Sequence, residues 1–455
     1  MTESSDQRLL SILRAEGPLS PASLMSRLNL SQPTLFRSAK AQSKTIVSLG
    51  APRNRKLAAL RNVRTMGSST PLFLVSTEGE VTSIGQMLSI YPTSFVIIMN
   101  SNPSKPIYYP GLPYFLDDLR PQGFLGKSFG QKHLDLKLPP RILDWNSNDV
   151  LEAIANRGED LVGNILVGAE SFERFQSLCK RRIEASETIE AENPRKSYVQ
   201  YAQAAIDGEP AGSSLGGEQP KFCAVLLNTG GVYRRIIVKF SPKGDTFSAR
   251  RWRDLLICES LSLEVLRSHG ILAAEGRILE AGGRTFLETN RFDRVGLHGR
   301  KGMLSLAALE NGWMGHGSNW AISASLLERQ NKISKEDLKT IQKLECFGRL
   351  IANSDRHPGN LSFYWQPGED KARLAPVYDM LPMLYAPSSG GEDTARIFTL
   401  PTYDHTLLDA WKDSVSLAIQ FWKKVVEDLR VSQEFRNIAG QNILVLKPSL
   451  REHGL

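Results

Sequence analysis

Asp355 and Asn360 stand five positions apart in the polar run Asn353-Ser-Asp-Arg-His-Pro-Gly-Asn360. A carboxylate at the first position can accept or orient the proton of a substrate hydroxyl, and an amide oxygen at the second can bind magnesium. His357 lies between them and can hydrogen-bond Asp355 or a phosphate, or simply stabilise the loop. Further on, Asp379 follows the apolar stretch Arg373–Val377 and can supply a carboxylate to a cation that bridges phosphates. Upstream, the run from Gly212 to Lys221 contains Ser213, Ser214, Gly216 and Gly217. Glycines there let backbone N–H groups approach phosphate oxygens, while the hydroxyls and Lys221 add donors. Lys239 ends an apolar strand, and Glu259 follows 20 positions later, with Glu264 as an alternative partner. A strand lysine held by a helix glutamate orients nucleotide phosphates in kinases. Each segment has a bland reading as a turn, an edge residue or a cap. Their order along one chain points to phosphoryl transfer from ATP with Mg2+.

These groups need elements to place them. Strands are expected at Phe222–Leu227 and Val232–Phe240, and a long helix at Phe247–Ser268 carries Glu259. An amphipathic helix, Lys335–Ile351 with Ser334 as N-cap, leads into the Asp355 loop, and a strand, Leu361–Trp365, follows it. Arg64–Pro71 reads as a polar linker. From Pro71 to Ile98 the pattern predicts a hairpin, a short helix and another strand. Residues 103–140 read as irregular Pro- and Gly-rich loops, followed by a helix from Asn148 to Ala155. Ser171 to Glu192 reads as a polar helix with a solvated charged run.

The formal charge of +8 is unevenly placed: residues 1–70 hold eleven Lys and Arg against three acids, and the remainder balances. Such asymmetry points to a polyanion-binding module. Leu9, Leu10 and Leu13 form one helical face; a second helix fits Pro21–Leu28, capped by Ser20. Ser31 caps a third helix with Leu35, Phe36 and Ala39 inward, and Thr45–Gly50 with a basic loop reads as a wing. Residues 1–66 thus predict a winged helix-turn-helix. Gln32, Thr34, Arg37, Ser38 and Lys40 would face the DNA major groove, while Arg53, Arg55 and Lys56 would touch phosphates.

The 455 residues are 41% hydrophobic, which excludes bulk disorder, and no apolar run reaches the ~18–20 residues of a membrane span. Four separated cysteines argue against a zinc ribbon or disulfide framework, and the first residues lack a secretory pattern. A cytoplasmic protein without membrane contact is expected, nucleoid-associated if it binds DNA. Two other classes fit parts of the pattern. In one, a transcription regulator carries a non-catalytic nucleotide-sensing lobe, but the complete set of acidic residues disfavours it. In the other, Asp355, His357 and Asp379 hold a metal for nuclease chemistry, but the Asp-x4-Asn spacing and the separate lysine disfavour it.

The segments SLGGEQPK, NRFDR, NSDRHPGN and VYDMLP resemble those of HipA-type serine/threonine kinases, the toxins of bacterial toxin–antitoxin systems. GLPYFLDDLRPQG and GEDLVGNILVG are similar to that family's N-terminal subdomain, so the resemblance spans roughly residues 70–455. The built-in DNA-binding module resembles the HipH/YjjJ-like subgroup. The resemblance implies an α+β chain: a winged helix-turn-helix (1–66), a small β-containing subdomain (70–170), a kinase N-lobe (195–295) and a helical C-lobe (296–455). It further implies Asp355 as catalytic base, Asn360 and Asp379 as magnesium ligands, and Lys239 as phosphate-binding lysine. Asn290 and Phe292 would give backbone contacts to adenine, with Asp293 near the ribose. Autophosphorylation would fall on Ser214 or Ser213 and switch the enzyme off. The implied partners are a protein target in translation, such as an aminoacyl-tRNA synthetase, and a HipB-like antitoxin, with growth inhibition as the outcome.

Overall fold

The computed structural model describes residues 4–126, 129–207, 219–388, 396–402 and 405–452. Three helices, α1 (Ser5–Glu16), α2 (Pro21–Leu28) and α3 (Gln32–Ala41), precede an antiparallel pair, β1 (Ile46–Leu49) and β2 (Lys56–Ala59). Their starts follow local chemistry. The Ser20 hydroxyl accepts the Ser23 N–H at 3.3 Å, and Asn29 ends α2 in the left-handed conformation that asparagine tolerates. Ser31 occupies the N-cap of α3, but its hydroxyl pairs with Thr34 Oγ1 at 2.9 Å instead of a backbone N–H. Leu9, Leu13, Leu24, Leu28 and Leu35 form the small core.

The expected linker after this module is absent, because its groups have partners. Arg64 pairs with Asp149, and the Thr65 hydroxyl donates to Glu152 at 3.1 Å. Arg61 is buried, donating to Asn148 at 2.6 Å over the Phe95 ring. Leu60 bridges Ile90, and Leu49 and Ala58 pack with Leu88, Ile90 and Val96. The module is therefore docked on the sheet that follows, and Arg61 and Arg64, although basic, serve that contact.

That sheet runs β6 (Ile107–Tyr109), β5 (Ser94–Met99), β4 (Val81–Ile90), β3 (Ser69–Val75), β7 (Ile165–Val167). The short helix expected between Pro71 and Ile98 does not form: β4 is one ten-residue strand whose register shifts between Leu72 and Phe73 of its neighbour, opposite Gly85. Helix α4 (Ser147–Asn156), capped by Asn146, and helix α5 (Ala169–Lys180) accompany it. The expected helix to Glu192 stops at Lys180. Beyond it Arg181 closes a turn on Glu187 (2.6 Å), and β8 (Ile189–Glu190) runs parallel to a later strand.

Helix α6 (Arg195–Ile206) leads to a second five-stranded sheet, ordered β11 (Gly276–Ala281), β12 (Arg284–Asn290), β10 (Tyr233–Phe240), β9 (Lys221–Leu227), β8. Between β10 and β11 lies α7 (Phe247–Ser268), started by Thr246, whose hydroxyl accepts the Ala249 N–H at 3.2 Å. The remainder is a three-stranded sheet, β13 (Met303–Ser305), β14 (Ser362–Tyr364) and β15 (Arg373–Leu374), among helices α8 (Leu306–Leu309), α9 (Trp320–Arg329), α10 (Lys335–Leu350), α11 (Leu408–Glu427) and α12 (Gln433–Glu452). The strand expected to reach Val377 is short; Val377 instead bridges Ala273. One apolar core joins the first sheet, α7 and the C-terminal helices.

Candidate active site

Lys239 and Lys221 are cross-strand partners on β10 and β9, both buried. Like charges placed directly opposite repel. Anions offset this pair. The Lys239 ammonium lies 2.6 and 2.7 Å from the two Glu259 oxygens on α7, and also pairs with Asp379. The alternative partner, Glu264, instead takes Lys424 at 3.0 Å. Burial tends to push the Lys239 ammonium down, but Asp379 and then Glu259 hold it firmly protonated. Burial also pushes Glu259 up, whereas Lys239 and then Lys221 outweigh burial at Asp379 and hold it below the usual carboxylate range. The Lys221 ammonium is pushed down by burial.

Asp379 is a non-glycine residue in the left-handed region, at φ 52°. The surroundings fix it there: its N–H donates to Glu259 at 3.2 Å and its carbonyl accepts from Asn353 at 3.4 Å. Strained backbone of this kind collects at functional sites.

The loop after α10 carries Asp355, His357 and Asn360. Asp355 is exposed and Asn360 buried. The Asn360 amide donates to the Asp355 carbonyl at 2.8 Å, which leaves Oδ1 as the atom that can face a cation. The His357 Nδ1 accepts the Gly359 N–H at 3.0 Å, capping the turn Pro358–Asn360, and the residue also lines the cleft. Its carbonyl is fixed by the Trp320 indole at 3.1 Å.

Lys221, Lys239, Glu259, His357, Asn360 and Asp379, but not Asp355, line one cavity of about 680 Å³, together with Asn290, Phe292 and Asp293. Phe292 packs on Tyr364 and Tyr378, and its carbonyl accepts from the Tyr364 hydroxyl at 3.3 Å. The Asn290 side chain accepts from Arg234 at 3.0 Å. Asp293 lines the cleft, and its oxygens are engaged by neighbouring groups of the chain. Arg291 donates to it at 3.0 and 2.8 Å, Arg294 at 2.5 Å and the Gly163 N–H at 3.1 Å. These arginines hold its carboxyl far below the usual range despite burial. Asp160 joins the same buried network through Arg294 at 3.2 Å, so this network ties the segment after β12 to the loop around Gly163. Ser213, Ser214, Gly216 and Gly217 lie outside the described residues.

The sequence reading missed one wall. Leu112, Asp117, Asp118 and Arg120, from the segment before α4, line the same cavity. Asp118 grips Ser305 through its N–H (2.6 Å) and hydroxyl (2.7 Å), a contact spanning 187 positions. No local pattern announces such a pairing.

Magnesium fits this donor set only with help. Among the described residues no group of three or more His, Cys, Asp or Glu side chains could hold a metal. Mg2+, however, is usually bound by one or two carboxylates with phosphates and water. Asp379 and Asn360 could provide that share.

On the basic module, Gln32, Thr34, Arg37 and Lys40 are exposed along α3, and Arg53 and Lys56 are exposed beside the hairpin turn. One expected DNA contact is engaged elsewhere. Ser38 is buried, its hydroxyl on Asp6, because it falls on the face of α3 that meets α1. Arg55 is half-buried with its guanidinium 5.2 Å above Phe36. No helix among the described residues is long and apolar enough to cross a membrane.

Two family models match the chain: the middle domain of YjjJ-like toxins over residues 66–176, and the HipA-like C-terminal domain over residues 213–439. Toxin YjjJ of Escherichia coli (strain K12) is 35% identical over 434 residues, covering 94% of this chain and 95% of that protein. The HipA chain of a Shewanella oneidensis MR-1 toxin–antitoxin complex, solved with HipB and operator DNA, is 15% identical. It superposes with a TM-score of 0.51, over 83% of this chain and 95% of its own, which shows a shared α+β fold.

Proposed function

We propose that this chain, which belongs to the YjjJ-like toxins with a HipA-like C-terminal domain, transfers the γ-phosphoryl group of ATP to a serine or threonine hydroxyl of a protein. One observation carries the reading: Lys239 held by Glu259, the pinned Asp379, and Asn360 locked to Asp355 converge on one cleft. The acceptor oxygen bonds to the γ-phosphorus as the β–γ bridging bond breaks, ADP leaves with the electron pair, and Asp355 takes the hydroxyl proton. Lys239 and Lys221 offset phosphate charge, and the buried Glu259 fixes where Lys239 can reach. Mg2+, held by Asp379 and Asn360, would neutralise charge on the phosphates when bound.

In the same reading α3 and the hairpin form a winged helix-turn-helix, with Gln32, Thr34, Arg37 and Lys40 toward bases and Arg53 and Lys56 toward phosphates. Ser213 or Ser214 is the autophosphorylation site, a translation component such as an aminoacyl-tRNA synthetase is the target, and a HipB-like antitoxin is a partner. The HipA relative with its HipB and operator DNA supports that last assignment.

Incubation with radiolabelled ATP and magnesium tests the reading. Label on Ser213 or Ser214 in wild type, lost in Asp355→Ala and Asp379→Ala, is expected. Nucleotide binding without transfer would favour a regulator, and plasmid nicking without ATP a nuclease.

A further inference from the structure

Asn353 sits where the loop after α10 meets the segment that carries Asp379. It is 1% exposed and does not line the cleft. All of its polar groups are nevertheless engaged. Its N–H donates to the Gly348 carbonyl at 2.8 Å, and its carbonyl accepts from Arg356. The two ends of the side-chain amide serve different segments. Oδ1 accepts the Asp355 N–H at 3.0 Å. Nδ2 donates to the Asp379 carbonyl at 3.4 Å and lies 3.7 Å from the Met380 sulfur. One planar group therefore joins the residue read as proton acceptor to the residue read as metal carboxylate.

The partners dictate the residue type. A main-chain N–H only donates and a carbonyl only accepts, so the Asp355 end must be the oxygen and the Asp379 end the nitrogen. Asparagine offers both in this shape. Aspartate would set an acceptor against the Asp379 carbonyl, and leucine would serve neither group. The frame behind the amide is also fixed. Ala352 and Asp379 are both non-glycine residues in the left-handed region, at φ 59° and 52°. Ala352 has no polar side chain to favour that conformation, so its neighbours impose it. Its carbonyl accepts the Leu384 N–H at 3.0 Å. Arg356, which takes the Asn353 carbonyl, lies 3.5 Å from the buried Glu345 on α10. Gly348 leaves room for it: a Cβ there would come within 2.5 Å of the Arg356 Cδ.

We propose that Asn353 is a positioning residue for phosphoryl transfer: its amide sets the offset between Asp355 and Asp379, and so between proton acceptor and cation, while touching neither nucleotide nor acceptor. The inference rests on the kinase reading given above. The turn that Oδ1 closes on the Asp355 N–H would by itself shape only the catalytic loop. The Nδ2 bond, spanning 26 positions, is what ties that loop to the cation site. Such an offset matters because a reacting group misplaced by ~1 Å can cost ~100-fold in rate.

The test uses the full chain with Asn353→Ala and Asn353→Ser. Serine can still accept the N–H two residues on but is too short to reach Asp379, so it separates the turn from the link. Phosphoryl transfer is measured against ATP and Mg2+ concentration, and amide hydrogen exchange without nucleotide is followed over residues 353–361 and 376–384. In both variants kcat should fall by about 10–100-fold with the KM for ATP unchanged. The Mg2+ concentration at half-maximal rate should rise about tenfold. Exchange over 376–384 should quicken in both variants, and over 353–361 in the alanine variant alone. A serine variant with the wild-type rate and Mg2+ response would overturn the inference, leaving a local turn. So would unchanged exchange over 376–384, or a raised KM for ATP with kcat intact. Wild type that transfers no phosphoryl group would overturn the kinase reading and with it the catalytic role of Asn353. An active wild type whose variants keep its Mg2+ response would overturn the role of Asn353 alone.

Discussion

Replacing Lys239 with Met keeps most of the side-chain length and removes one charge from between two carboxylates. The Lys239 and Glu259 side chains are 8% and 1% exposed, so the pair has little water to fall back on. Removing one partner of a buried pair typically costs about 3–5 kcal/mol, because the charge left behind is uncompensated. Here two carboxylates remain, but Lys221 stands directly across the strand and offsets part of the loss. The expected cost is therefore at the low end, about 3 kcal/mol near neutral pH. It has a pH signature. In wild type the ammonium holds Asp379 below the usual carboxylate range. Without it, burial raises the Asp379 carboxyl and lifts Glu259 further than in wild type, and the folded variant binds a proton that the unfolded chain lacks. Its stability is then greatest near the unfolded carboxylate pKa values of about 4 and falls as pH rises. The gap between wild type and variant should widen between about pH 5 and pH 8, by ~1.4 kcal/mol for each unit that a carboxyl is raised, up to the pH at which it ionises. Denaturant melts of wild type, Lys239→Met and Glu259→Gln at stepped pH measure this. A gap that stays flat with pH, or a variant as stable as wild type, would refute the shared-ammonium argument.

Three further outcomes are expected. Asp117, whose carboxyl burial lifts to about 6, destabilises the fold as it ionises, so stability should fall from about pH 4 to pH 6 through this group. Asp117→Asn should remove that slope and raise stability at neutral pH by ~1–3 kcal/mol, read from melts at each pH. Reversing Arg53 and Lys56 to Glu should weaken DNA retention across sequences and flatten the logarithmic salt dependence by about 0.9 per lost phosphate contact, measured by fluorescence anisotropy. Ile90→Ala, in the cluster joining the basic module to the first sheet, should cost ~2–5 kcal/mol and expose residues 60–68 to limited proteolysis.

Local signals were readable wherever a few consecutive residues decide the outcome. Thr246 and Ser334 start their helices where the pattern places them, and the helix Phe247–Ser268 brings Glu259 to Lys239 through spacing alone. The Asp355–Asn360 spacing likewise closes on itself, amide to carbonyl. What the sequence hid depends on distant partners. Ser38 has the chemistry of a base reader, but its place on α3 turns it toward Asp6. Arg61 and Arg64 count as free charge in composition yet meet Asn148 and Asp149 on α4. Asp293 carries a motif, but the arginines beside it and the loop at Gly163 decide what its oxygens do. A polar stretch such as Arg64–Pro71 resembles a linker until its partners are known.

The contact between the basic hairpin and the first sheet has a geometric corollary. Two backbone bonds, Arg61 N–H to Ser89 and Tyr91 N–H to Ala59, stitch it closed and fix the hairpin on that sheet. In the proposed reading, a duplex gripped by the third helix would hold the mouth of the cleft near a fixed distance from itself. Targets anchored on the same duplex at that reach would be met at a far higher local concentration than those diffusing freely, while those anchored elsewhere would gain nothing.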